Sequence, residues 1–150
     1  MQDDVICRMR LGALKVDFMP DDERILGFSN RWYRKAIEHA ELFPLNASIT
    51  INLLAPAYFV ATKLEAYRGR GGNDPMSSHD MEDIINLVDG RETLASEIAE
   101  AEPDVRRYIA EQFNILQGHR DFDYAVQGNL QDSNRSSQFF QRWEWIATIS

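Results

Sequence analysis

From Ala55-Pro56 onward the spacing of apolar residues is helical, and that last change of period constrains the fold more than any other feature. Before it, Val5, Cys7, Met9 and Leu11 alternate with Ile6, Arg8 and Arg10; Gly12 interrupts, and Leu14, Val16 and Phe18 then alternate with Lys15, Asp17 and Met19. Two alternating runs around a glycine turn predict a β-hairpin with one apolar and one charged face. Ser48–Leu54 alternates in the same way, with Ile49, Ile51 and Leu53 on one face, and reads as a third strand. After Pro56 the period is helical. Val60, Leu64 and Tyr67 form one stripe, Met81, Ile84, Ile85 and Val88 a second, and Val105, Tyr108, Ile109, Phe113 and Leu116 a third. The expected fold class is therefore α+β, a small and mostly antiparallel sheet followed by a helical C-terminal half. At 150 residues the chain reads as a single domain over 1–150, with a core portion to about residue 91 and a helical tail from about 92.

Local signals set the expected boundaries. Ile25-Leu-Gly-Phe28 reads as a short connector or edge strand, and Ser29 and Asn30 as caps of a helix from about Arg31 to Leu42, stopped ahead of Pro44. Pro56 suits the first turn of the next helix. Arg68–Pro75, with three glycines, reads as a loop, and Ser77 with Asp80 as a capping box for the helix that follows. The C-terminal aromatics Phe139, Phe140 and Trp143 read as core or subunit contact.

Charge narrows the partners. Asp and Glu number 24 against 16 Lys and Arg, a net of −8, which disfavours broad nucleic-acid binding. Arg8, Arg10, Lys15, Arg31, Arg34 and Lys35 nevertheless crowd the first quarter, so a local anion site there stays open. The longest apolar run, Leu53–Ala61, is too short to span a membrane. The first residues carry no secretory pattern and the only cysteine is Cys7, so a cytoplasmic location is expected.

The stretch Ala61–Arg91 holds most of the chemistry. Lys63 lies beside the apolar stripe of its helix, and reads either as a snorkelling lysine or as an ammonium aimed at a specific group. His79 and Asp83 stand at i and i+4, and Asp80 and Asp83 at i and i+3, so the three share one exposed edge of the next helix. Helix capping and the helix dipole account for the acids, while the His79/Asp83 spacing would also suit metal ligands. Asp17, an aspartate inside a strand, is either the cross-strand partner of Arg8 or Arg10 or a metal-binding carboxylate.

The order of Lys15–Pro20, Leu26-Gly-Phe-Ser-Asn-Arg-Trp-Tyr33, Phe59-Val-Ala-Thr-Lys-Leu-Glu-Ala66 and Ser78-His-Asp-Met-Glu-Asp-Ile84 resembles bacterial nucleotidyltransferase-like proteins of the AbiEii type, linked to abortive infection and toxin–antitoxin systems. The resemblance implies a site that transfers a nucleoside monophosphate from a nucleoside triphosphate with Mg²⁺. In it, Asp17 would be a catalytic metal ligand, Lys63 a catalytic and nucleotide contact, and Asp80 and Asp83 nucleotide-site acids. The family's glycine-serine turn and its strand with two alternate aspartates do not occur here, and adjacent Asp3-Asp4 do not replace them. A truncated or degenerate member is the expectation that follows. The other is a non-catalytic interaction module, a toxin–antitoxin component with an antitoxin-type protein partner, that acts as a homo-oligomer through an exposed sheet edge and the C-terminal aromatics.

Overall fold

A computed structural model describes residues 7–26, 29–70 and 72–149. The start of the first alternating run (Val5 and Ile6), the pair Asp3-Asp4, Gly27-Phe28 of the connector and Gly71 of the glycine loop lie outside the described residues.

Strands β1 (Arg8–Leu11) and β2 (Leu14–Asp17) pair antiparallel, with Arg8 opposite Asp17, Met9 opposite Val16 and Leu11 opposite Leu14. Directly opposed residues share a face. Met9, Leu11, Leu14 and Val16 therefore form one side, and Arg8, Arg10, Lys15 and Asp17 the other. Gly12 at φ +63° supplies the left-handed first position of the two-residue turn. A single helical turn, α1 (Glu23–Leu26), takes in Ile25 and Leu26, the described half of the segment read as a connector or edge strand.

The helix expected over Arg31–Leu42 is shorter. Helix α2 covers Tyr33–Glu38, and Glu41–Pro44 forms strand β3, which pairs antiparallel with β4 (Thr50–Leu53). Pro44 pushes Phe43 out of helical backbone, and Phe43 then sits opposite Ile51. The strands thus form two separate two-stranded sheets, β1-β2 and β3-β4, beside the helical C-terminal half, an α+β arrangement.

From Pro56 the chain is helical: α3 (Pro56–Arg70), α4 (His79–Gly90), α5 (Leu94–Glu100), α6 (Pro103–Gln117), α7 (Phe122–Asn129), a 3₁₀ turn at Ser133–Arg135, and α8 (Ser136–Ala147). Each helical stripe read from the sequence is buried, including Val60, Leu64, Met81, Ile84, Ile85, Ile109 and Phe113. Helix α3 packs on α4 and α6, and α6 on α8. Trp143 stacks on Phe113 at 4.0 Å, tilts against Phe122 at 4.5 Å and donates its indole N–H to the Phe113 carbonyl. Phe139, Trp143 and Ile146 are core and Phe140, partly buried, packs against it, while Trp145 is exposed. Among the described residues no helix is long and apolar enough to cross a membrane.

Helix α3 runs through Gly69 to Arg70, two residues beyond the expected start of the loop. Ser78, not Ser77, caps α4, accepting from the Met81 N–H, while Ser77 donates to Asp74. Ser78→Ala is expected to cost about 1 kcal/mol, read as a lower urea midpoint at unchanged slope. A Ser77→Ala loss equal to it would count against this assignment.

Candidate functional site

Three of the four residues singled out for the site meet where α3 crosses α4. Lys63 projects from α3 one turn after Phe59, and its ammonium lies 5.7 Å from that ring centroid. It contacts Asp83 and reaches Asp80 at 3.4 Å. Arg70, two turns further along α3, grips Asp80 with two N–H donors at 3.1 Å each. Asp80 is not on an exposed edge as the helical spacing suggested. It is buried at 4% exposure, facing α3, where Lys63 and Arg70 close over its carboxylate.

The electrostatics are those of a closed ion cluster. Burial, the largest single effect, pulls the Lys63 ammonium down. The hydrogen bond to Asp83 and the charges of Asp83 and Asp80 together outweigh it and hold Lys63 above its usual range. The hydrogen bond to Asp80 likewise raises Arg70. His79 is exposed and pairs with Glu82 at 3.1 Å, while Asp83 turns to Lys63, so the i and i+4 spacing of His79 and Asp83 does not become a shared ligand position.

Asp17 belongs to a different element. It sits opposite Arg8, whose Nε and Nη2 donate to its two carboxylate oxygens at 2.7 and 2.9 Å. That hydrogen bond holds the Asp17 carboxyl below the usual carboxylate range. Of the two readings of this aspartate, the cross-strand pair is the one present. A resident Mg²⁺ needs several oxygen ligands around it. Both Asp17 oxygens are engaged by a guanidinium, and among the described residues no three His, Cys, Asp or Glu side chains are placed to hold a metal ion. The described residues do not fit a magnesium site at Asp17.

Beside the ion cluster runs a groove of about 410 Å³, lined by Met19, Ser29, Asn30, Tyr33, Glu65, Ala66, Gly69 and Arg70. Arg70 is thus shared between the groove and Asp80. Asn30 builds one wall: its amide donates to the Thr62 carbonyl at 2.8 Å and its oxygen accepts from the Trp32 N–H. Glu65 accepts from the buried Tyr108 hydroxyl at 2.6 Å, and burial is the first cause that pushes that phenol up to about 12. Arg31 covers the Trp32 and Tyr108 rings at 4.8 and 4.9 Å. A second cluster, Lys35 with Glu102 at 2.8 Å and Asp104 at 2.7 Å, ties α2 to the start of α6.

Sequence reasoning missed Arg70, which it assigned to a loop, and the pairing of Lys35 with acids 67 and 69 residues away. The basic end of a helix that continued past Gly69 was the available signal for Arg70. The partners of Lys35 left no local signal.

No family model, curated protein or solved structure matches this chain.

Proposed function

We propose that this chain is a non-catalytic association module, a helical body that presents two amphipathic hairpins to a protein partner. The observation that carries this reading is the bare apolar face of both hairpins. Met9, Leu11, Leu14 and Phe18 are 59–75% exposed in the first, and Phe43, Leu45, Ile49, Ile51 and Leu53 are 36–59% exposed in the second. Isolated two-stranded hairpins are marginal in water, and a contiguous apolar surface of this kind marks an interaction site. The polar residues that suggested catalysis are already satisfied by one another, as Asp17 is by Arg8 and Asp80 by Lys63 and Arg70.

Charge placed on a free face should leave the body intact. Leu11→Glu and Phe43→Glu are each expected to move the melting temperature of dilute protein by no more than about 2 °C. Each should also reduce the binding of a hydrophobic dye. A drop of about 10 °C in either variant would mean that the faces are internal core, and would overturn the reading.

A second reading keeps the nucleotidyltransferase resemblance. Its support is the convergence of Lys63, Asp80 and Asp83 next to a groove to which Arg70 presents a guanidinium. A nucleoside triphosphate with Mg²⁺, bound at 100 times its Kd, would raise stability by about 2.7 kcal/mol. The expected sign is a thermal shift that Lys63→Ala removes; no shift with any of the four nucleotides would exclude it.

A further inference from the structure

Resting on the association reading, we infer that the first hairpin takes its partner at an edge: an extended segment of another protein, with alternating apolar and acidic residues, pairs as a third strand along β1. The ladder supplies the edge. Leu11 and Leu14 flank a two-residue turn, and from there the opposed pairs alternate between hydrogen-bonded and non-bonded. The Phe18 N–H, donating to the Cys7 carbonyl at 2.8 Å, keeps that phase. Arg8 and Arg10 therefore turn their N–H and C=O groups away from β2, and among the described residues no other backbone group pairs with them. Such a row is a template for a further strand, and a two-stranded unit is marginal until one joins it.

A strand at that edge meets both faces of the hairpin, because its own side chains alternate. On one face it lies beside Cys7, Met9 and Leu11, a row that ends at an open apolar cavity of about 370 Å³ lined by Cys7, Phe18, Met19, Pro20 and Ile25. Apolar residues at alternate positions of the partner extend this row and fill the cavity. Main-chain bonds then give affinity, and the pocket gives specificity. On the other face the strand lies beside Arg8 and Arg10. Arg8 is held by Asp17, but Arg10 stands opposite Lys15, and neither has an acidic partner among the described residues. Like charges directly opposed are destabilising, and a carboxylate beside Arg10 relieves the pair. The same cations disfavour a second β1 at this edge, since Arg8 and Arg10 of one copy would lie against those of the other.

The probe is a labelled, end-capped peptide of roughly five residues, alternating valine and glutamate, read by fluorescence anisotropy against the whole chain. It is expected to bind about tenfold tighter than its valine–lysine counterpart, and Arg10→Glu to reverse that order. Methylating the N–H of every glutamate, or of every valine, is expected to abolish binding in one case and spare it in the other, because alternate N–H groups of a strand point to opposite sides. Binding that survives both changes is face packing and overturns the edge, and equal affinity for the two peptides overturns the acidic pattern. A chain that binds neither peptide yet binds hydrophobic dye, and binds less of it after Leu11→Glu, overturns the strand while the association reading stands. A dimer in light scattering that Leu11→Glu dissociates gives the hairpin to a second copy and overturns the strand likewise. A chain that binds neither dye nor peptide overturns both.

Discussion

Trp143→Ala is expected to lower stability by about 3–5 kcal/mol, the range for removing a large aromatic from a packed core. Trp143 is 1% exposed; it stacks on Phe113, contacts Phe122 and Phe139, and joins α8 to α6 and α7. No small rearrangement refills a hole where four rings meet, so the surrounding contacts are lost as well as the transfer energy. For a chain of this length the change corresponds to a fall of roughly 10 °C or more in melting temperature. Trp145, two residues later and 54% exposed, supplies the control. Trp145→Ala should stay within about 0.5 kcal/mol, and equal effects at the two positions would contradict the packing of α8.

Removing both cations from Asp80 in a Lys63→Met/Arg70→Met variant is expected to cost about 3 kcal/mol or more, because a buried carboxylate is left uncompensated. Adding Asp80→Leu should recover most of that loss, since an apolar side chain can occupy the same place without desolvating a charge. A triple variant no more stable than the double would show that the cluster does more than neutralise Asp80. The alkaline limb gives a second readout. With its folded value raised, Lys63 contributes fully below the unfolded lysine value of about 10.4 and loses that contribution as pH rises through the folded value. Lys63→Met should flatten this part of the stability curve.

The candidate site was half legible in the sequence. Lys63 could be picked out because it stands beside an apolar stripe, and Asp80 and Asp83 because they lie within one turn of a helix start. Both are local facts. That Lys63 meets the two acids depends on how α3 crosses α4, and that Arg70 joins them depends on α3 continuing through Gly69. A glycine costs a helix about 1 kcal/mol relative to alanine, and the pair between Arg70 and buried Asp80 favours that extra turn. The Arg8–Asp17 pair could be foreseen only as one of two choices, because the register that puts Arg8 opposite Asp17 separates it from Arg10.

By itself the sequence determined the α+β class, the apolar stripes of α3, α4 and α6 and the two-sided character of the first hairpin. These follow from the 3.6- and 2-residue side-chain periods, which any window of a dozen residues displays. Only the tertiary structure decided that the strands form two hairpins, that Glu41–Pro44 is strand, and that the C-terminal aromatics are core while the hairpin faces are bare. Those outcomes rest on contacts between distant segments. An apolar stripe specifies that something must cover it, but its own residues carry no information about which element of the chain, or which other chain, does so.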